Sequence, residues 1–368
     1  MLKKLLLIIS ALILIIGLTT LWIFNLPDFG RLPQGERLER IYASKNFENG
    51  TFVSPETTQS FLKKGFLRSM VDFLFESKNV LEPSDPLPSV KTDLKSLDPG
   101  KDLIVWMGHS SFYMQLAGKR FLIDPVFSGH ASPFSFMLKA YKGSDVYSSD
   151  DLPPIDALLI SHDHWDHLDH ETITKLKDKI ATVITGLGCG EHFEYWGYDK
   201  KRILEQDWYD EAVEIGDVKI YLTPARHFSG RLFKRNPTLP VSFVIISPQR
   251  KIFYSGDSGF GKHFAEIAER FGPFDLAVME NGQYNKQWPY VHMFPEEMIK
   301  ASAILGAKRV LPVHNSKFTL SEHKWDEPLR RAEQAAKEHG IMLETPRLGE
   351  SLSLKAPKAL EKWWQEIR

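Results

Sequence analysis

The sequence predicts an α/β fold: a sandwich of two mixed sheets with helices outside, preceded by an apolar N-terminal helix. Three observations lead there. From about residue 100 short apolar runs alternate with helical patterns. The two halves of that region follow one order, strands first and then strand–helix pairs, as an old duplication would leave them. The strands of those pairs end in polar residues that can converge on one cleft.

The elements follow in chain order. "MLKKLLLIISALILIIGLTTLWIF" sets two lysines before an almost unbroken apolar run from Leu5 to Phe24, and about 20 residues cross a bilayer core as a helix. A cleaved signal peptide is the alternative, but no A-x-A-like site follows and the run ends in the bulky Leu21, Trp22, Ile23 and Phe24. Residues 1–24 are therefore expected to be a membrane anchor. Lys3 and Lys4 favour a cytoplasmic N-terminus and an extracytoplasmic body, although Arg31, Arg37 and Arg40 on the far side weaken that bias.

Residues 25–99 are expected to be a linker with a helical extension. The stretch 25–56 is polar and turn-rich. In "TTQSFLKKGFLRSMVDFLFE", Phe61, Leu62, Phe66, Met70, Phe73 and Leu74 recur at helical spacing, either docked on the main domain or lying on a membrane surface. "LEPSDPLPS", with three prolines, marks a boundary. Residues 100–368 form the main domain. "DLIVWMGHSSFYMQLAGKRFLIDP" reads as strands turning at Gly118 and Lys119, and "IDALLIS", "ATVIT", "VKIYLTPARH", "PVSFVIISPQRKIFYSGD", "FDLAVMEN" and "KRVLPVH" as further strands. "DHETITKLKDK", "KHFAEIAERFG", "PEEMIKASAILG" and "DEPLRRAEQAAKEHG" read as the helices among them.

Composition narrows the function. The 46 basic and 47 acidic residues balance to a formal net charge of −1, so there is no electrostatic footprint of a nucleic-acid binder. The lone Cys189 excludes an internal disulfide and a zinc site of several thiolates, and it reads as a turn residue rather than a nucleophile. "GDSG" (256–259) echoes a serine-protease segment but leads into a helix, no GxSxG elbow occurs, and "GLGCG" is not GxGxxG.

The chemistry gathers in "SHDHWDHLDH", which packs four histidines and three aspartates into residues 161–170 just past an apolar strand. Unpartnered, such a group would suffer repulsion and desolvation, so a cation is expected among its members. His162 and His164, two apart, point the same way in an extended segment, and the next turn lets Asp166 and His167 face a second ion. Three further strand ends supply His227, Asp257 and His314, and Asp257 can bridge the ions. Imidazoles with carboxylates suit zinc and other borderline metals, with iron or manganese compatible, and do not suit calcium. Asp163 and Trp165 are expected to shape the loop, and Asp169 and His170 to cap the next helix.

The motif His162-x-His164-x-Asp166-His167, followed by His227, Asp257 and His314, resembles the metal signature of the metallo-β-lactamase superfamily. "FLIDPVFSGHASP", "LPPIDALLISHDHWDHLDH", "FYSGDSGF", "FGPFDLAVMENGQY" and "VHMFPEEMIKA" narrow the resemblance to the branch containing the N-acylphosphatidylethanolamine-hydrolysing phospholipase D enzymes, over roughly residues 45–345. The resemblance implies a four-layer αββα sandwich and two Zn²⁺. His162, His164 and His227 would hold one ion, Asp166, His167 and His314 the other, and Asp257 would bridge. It also implies a catalytic role for Asp166, a histidine beside the metals at His292 acting on leaving group and substrate, and a phosphate contact from Tyr284. "VHNSKF" and "MENGQY" depart from the lipid enzymes' pattern near the pocket, which bears on substrate rather than on metal.

The expected activity is hydrolysis of a phospholipid phosphodiester at a membrane. The apolar side chains Phe134, Phe136, Met137 and Leu138 of "SPFSFMLKAY" are placed either to guide acyl chains or to pack as a lid. A soluble phosphodiester or lactone is the rival substrate, and a membrane-tethered metal-binding module the rival class. Self-association as a homo-oligomer is compatible with the sequence, and no nucleic-acid partner is expected.

Overall fold

The computed structural model describes residues 2–56, 58, 81–231, 234–357 and 360–367. The amphipathic pattern expected at 57–76 lies outside the described residues, except for Thr58. Two seven-stranded sheets form the body. The first contains β3 (Leu103–Trp106), β4 (Phe112–Leu116), β5 (Lys119–Ile123), β6 (Ile155–Ile160), β7 (Ile180–Gly186) and β8 (Ile203–Gln206), and β16 (Ser351–Ser353) returns to its edge beside β3. The second runs in chain order through β9 (Val213–Ile215), β10 (Val218–Pro224), β11 (Val241–Ile246), β12 (Lys251–Tyr254), β13 (Leu276–Glu280), β14 (Arg309–Val313) and β15 (Met342–Leu343). A small hairpin of β1 (Phe47–Glu48) and β2 (Thr51–Phe52) precedes them.

The sheets repeat one plan. From β16 through β8, and again from β9 through β15, the first three pairings are antiparallel and the last three parallel. The two similar halves expected from the sequence are present. The chemistry of the strands matches their place: the parallel β6 and β13 are apolar but for Asp156 and Glu280, and almost wholly buried, because both faces are covered. The antiparallel β10 alternates at its start, exposing Lys219 and half-exposing Tyr221.

Three apolar layers hold the sandwich together. Ile104, Phe112, Phe121 and Leu159 meet Leu222, Phe243, Tyr254 and Val278 between the sheets. On the outer face of the first sheet, Val105, Leu122, Leu158 and Val183 pack against Ile173, Leu176 and Phe193 of helices His170–Leu176 and Gly190–Tyr195. On the outer face of the second, Val244, Phe253, Ala277 and Val310 pack against helices His263–Phe271, Pro295–Ile304 and Glu327–His339. One boundary differs from expectation. The β4–β5 hairpin turns at Ala117 and Gly118, one residue early, since both adopt the positive φ that a two-residue type I′ turn needs. The short strands β8, β9, β15 and β16 carry too few residues to show a period.

Helix Leu2–Phe24 stands apart from these layers, exposed from Lys3 to Trp22 and partly covered only at Ile23 and Phe24. The segment after it is not the free linker that its composition suggested. It contains helix Gly35–Ala43, whose Ile41 joins the inter-sheet core. Its Arg37 is buried, Nε donating to Glu205 at 2.6 Å and Nη1 to Glu191 at 2.7 Å. Glu205 also accepts the backbone N–H groups of Gly188 and Gly190. Arg37→Ala leaves two buried carboxylates without their cation and is expected to lower unfolding stability by about 3–5 kcal/mol, read from the shift in the denaturant midpoint.

Candidate metal centre

The polar cluster lies where strands β5, β6, β10, β12, β13 and β14 end, because the sandwich brings the same ends of its two sheets together. Residues His162, His164, Asp166 and His167 follow β6, His227 follows β10, Asp257 follows β12 and His314 follows β14. All seven expected ligands meet there.

Three imidazole nitrogens converge first. His162 Nε2 lies 2.9 Å from His164 Nδ1, which lies 3.3 Å from His227 Nε2. His227 Nδ1–H donates to the carbonyl of Val291 at 2.8 Å, so its Nε2 presents a lone pair. Ser161 Oγ donates to Asp124, and so accepts from His162 Nδ1 at 3.0 Å, which leaves His162 Nε2 a lone pair as well. One proton on His164 cannot satisfy both. A cation at the point of convergence can.

The second group has the same signature. His167 Nδ1–H donates to Asp124 Oδ2 at 2.8 Å, and its Nε2, buried without a hydrogen-bond partner, lies 3.2 Å from Asp257 Oδ2 and 3.5 Å from Asp166 Oδ2. Asp257 stands between the groups: Oδ2 is 3.8 Å from both His162 Nε2 and His227 Nε2, Oδ1 is 3.1 Å from His314 Nδ1, and Oδ1 is likewise buried without a hydrogen bond. Orphaned buried acceptors are rare in native proteins, and imidazole with carboxylate is the donor set of zinc, iron or manganese. The residues fit a pair of divalent cations.

Electrostatics agrees. Burial, with the neighbouring imidazoles adding to it, holds His162 and His314 well below the usual histidine range, and His227 likewise despite Asp257. These are the neutral, ligating forms. His167 is the exception, since burial opposes its charge but Asp257 and Asp166 prevail and hold it well above the usual histidine range. A cation beside those carboxylates would meet that demand for positive charge instead. For Asp257, burial opposes the charge, but His167 and His314 prevail and hold its carboxyl well below the usual carboxylate range.

Four residues that no motif singled out complete the site. Asp124, after β5, accepts from the Ser161 N–H, His167 and the Tyr254 hydroxyl. It occupies the end of the strand equivalent to β12, which Asp257 follows, so the internal repeat was the signal for it. Ser110 Oγ lies 3.0 Å from His314 Nδ1. His109, in the turn after β3, places Nε2 3.0 Å from Asp166 Oδ2 and its ring 4.1 Å from that of His314. Glu280, the last residue of β13, is buried and accepts from His292 Nδ1 at 2.9 Å. Burial pushes the Glu280 carboxyl up to about 7. Burial disfavours a charge on His292, but Glu280 prevails and raises it.

The ring of His292 lies 5.1 Å from those of both His227 and His314. Tyr284, expected as a phosphate contact, has its hydroxyl engaged within the protein. Its hydroxyl donates to Glu327 at 2.9 Å and its ring packs between His323, Phe294 and the Arg331 guanidinium. Asp169 caps helix His170–Leu176 through the Glu171 N–H, while His170 is the first helical residue and packs at a tilt against Trp196. Asp163 accepts from the Gly230 N–H, and Trp165 donates to the Asp28 carbonyl, so both hold the loop. Cys189 is fully buried, and burial pushes its thiol up, which removes it as a nucleophile. A cleft of about 350 Å³ lined by Phe52, Glu56, Thr58, Phe228 and Arg235 reaches His227.

A sandwich of this topology with such a cluster at its strand ends defines a metal-dependent hydrolase. The beta-lactamase superfamily domain model matches residues 119–315, and the chain belongs to the metallo-β-lactamase superfamily. An uncharacterized protein of Mycobacterium tuberculosis is 34% identical over 327 residues, 88% of each chain. N-acyl-phosphatidylethanolamine-hydrolyzing phospholipase D 1 of Caenorhabditis elegans is 30% identical over 251 residues, 64% of this chain and 70% of that one. Igni18, a metallo hydrolase of Ignicoccus hospitalis, shares the fold with a TM-score of 0.55 at 18% identity, over 68% of this chain and 97% of that one.

His109→Ala frees Asp166 from its partner without removing an expected ligand. Loss of such a partner costs roughly 10–100-fold in metal affinity. Competition with a fluorescent chelator is expected to show one of two bound ions weakened by that factor and the other unchanged.

Proposed function

We propose that this protein is a zinc-dependent phosphodiesterase that cleaves a membrane phospholipid in the phospholipase D manner, with N-acylphosphatidylethanolamine as the model substrate. The observation that carries this reading is the pairing of His292 with buried Glu280 beside the histidine and aspartate cluster. A phosphodiester's leaving alkoxide needs a proton, and the pair offers one. The similarity to the C. elegans phospholipase and the exposed apolar helix support the lipid assignment.

His162, His164 and His227 would hold one cation, Asp166, His167 and His314 a second, and Asp257 would lie between. When bound, the ions supply Lewis-acid activation of water and charge stabilisation at phosphorus. The side chains do the rest. Asp124, Ser161 and the Val291 carbonyl fix which nitrogen of His167, His162 and His227 carries the proton, so each imidazole is set before any ligand arrives. Asp166, held by His109, contributes a carboxylate that cannot swing away. Glu280 holds the Nδ1 proton of His292 and favours its imidazolium, leaving Nε2 to protonate the departing alkoxide as a general acid. The products would be phosphatidic acid and an N-acylethanolamine. Helix Leu2–Phe24 would anchor the protein, with the catalytic body on the extracytoplasmic side.

The test is metal analysis of the purified full chain with turnover of N-acylphosphatidylethanolamine in mixed micelles. Zinc near two per chain and release of phosphatidic acid are expected. Turnover of a lactone panel without any phospholipid cleavage would overturn the reading. Asp166→Asn is expected to abolish turnover. His292→Ala is expected to lower kcat on the phospholipid by about 10²–10⁴, and to affect bis-p-nitrophenyl phosphate far less, because nitrophenolate leaves without a proton.

A further inference from the structure

A run of aromatic rings joins the apolar helix to the metal loop and then continues to side chains that face outward. Phe24, the last residue of helix Leu2–Phe24, meets Phe29 edge-on with centroids 5.5 Å apart. Phe29 meets Trp165 at 5.7 Å and Phe134 at 6.5 Å, and Phe134 stacks on Phe136 at 5.7 Å. Trp165 sits between His164 and Asp166 in the metal loop. At the outer end Phe136 is 73% exposed and Met137 38%.

The loop that presents them is braced. Ala131 N–H donates to the Leu138 carbonyl and Met137 N–H to the Phe134 carbonyl, both at 3.0 Å. Ser132 Oγ accepts from the Phe134 N–H at 2.9 Å, and a β-bridge joins His130 to Lys139. Leu138 takes a positive φ of 47° and turns inward against Val126, Ala131 and Phe318. A bulky residue in the left-handed region is strained, so the backbone is held in the form that points Phe136 and Met137 away from the body. Exposed Lys139 and Lys142 flank them.

We propose that the loop Ser132–Leu138 is a docking foot for the bilayer that receives helix Leu2–Phe24, with Phe136 and Met137 entering the leaflet on the side of the body. The occupant follows from continuity. Phe136 is three ring contacts from the end of a helix that the protein leaves exposed up to Trp22. Aromatic side chains favour the membrane interface and lysines an anionic lipid surface. Docking at two points, helix and foot, fixes the tilt of the body, and Trp165 then ties the metal loop to the membrane side. The proposal rests on the helix being a membrane anchor and deepens the phospholipase reading by giving the site access to lipid within that leaflet.

Cys189 is the chain's single cysteine and is fully buried, so a cysteine at position 136 can be labelled selectively. The full chain carrying Phe136→Cys, labelled with a polarity-sensitive fluorophore, is reconstituted into vesicles of phosphatidylcholine and phosphatidylglycerol. Blue-shifted emission and quenching by lipids brominated along their acyl chains are expected, with Met137→Cys behaving alike. The same label at Met342→Cys, exposed on β15, is expected to be quenched by aqueous iodide instead. Iodide quenching at 136 equal to that at 342, without quenching by brominated lipid, would overturn the proposal. So would shielding from both quenchers that is lost when the protein is diluted in lipid, since a second copy would then cover the loop. A label quenched by acyl chains in a protein that cleaves no phospholipid would keep the docking foot and discard the phospholipase reading.

Discussion

Nitrogen lone pairs and carboxylate oxygens crowd at one end of this sandwich without enough protons to share, and the architecture is arranged around that deficit. His162 Nε2 and His227 Nε2 both present acceptors toward His164, and Asp257 Oδ1 and His167 Nε2 are buried with no hydrogen bond. Positive charge from outside the chain resolves the conflict, and metal-dependent hydrolysis is the chemistry that such charge brings. The backbone bears part of the cost: His109, Asp124 and His314 all hold positive φ, a strain that residues accept where a site requires a particular direction from a side chain.

The internal repeat explains how the site was assembled. β5 and β12 occupy equivalent places in the two sheets, and each is followed by a buried aspartate. In the second half that aspartate, Asp257, faces the centre of the cluster. In the first, Asp124 turns to Ser161, His167 and Tyr254 and sets their protons. One plan thus yields a ligand on one side and an orienting carboxylate on the other. Departure from strict repetition continues at β13, where Glu280 holds a histidine from the loop 281–294 rather than facing the cluster alone.

The segment after the apolar helix ties that helix to the site. Arg37 pins it to Glu191 and Glu205, while the Asp28 carbonyl accepts from both Trp165 and Arg231, whose Nε donates in turn to the Asp163 carbonyl. The metal loop is therefore braced by the same residues that lead out of the helix. That arrangement suits a hydrolase whose substrate lies in a lipid layer, because a fixed body presents its cleft at a constant height.

The residues His162, His164, Asp166 and His167 were legible because they are close in sequence and follow the apolar run Ala157–Ile160, so local spacing alone sets their directions. His227, Asp257 and His314 were legible as polar residues at strand ends once that cluster was in view. Strands such as β6 and β13 were legible for the same reason that they are buried: parallel strands covered on both faces favour near-continuous apolar runs, broken here only by Asp156 and Glu280. The orienting shell could not be read this way. Asp124, His109, Ser110 and Glu280 act through partners 12 to 204 residues distant, and no local pattern encodes which neighbour a buried carboxylate or hydroxyl will meet. Tertiary packing also decided that Tyr284 spends its hydroxyl on Glu327, that the polar segment 25–56 docks through Arg37, and that Phe136 faces outward near the end of the apolar helix. Amino-acid order thus determined the metal chemistry and the strands that carry it, since both follow from local periodicity; the protonation pattern, the fate of the linker and the facing of the apolar loop depended on long-range contacts that only the folded chain creates.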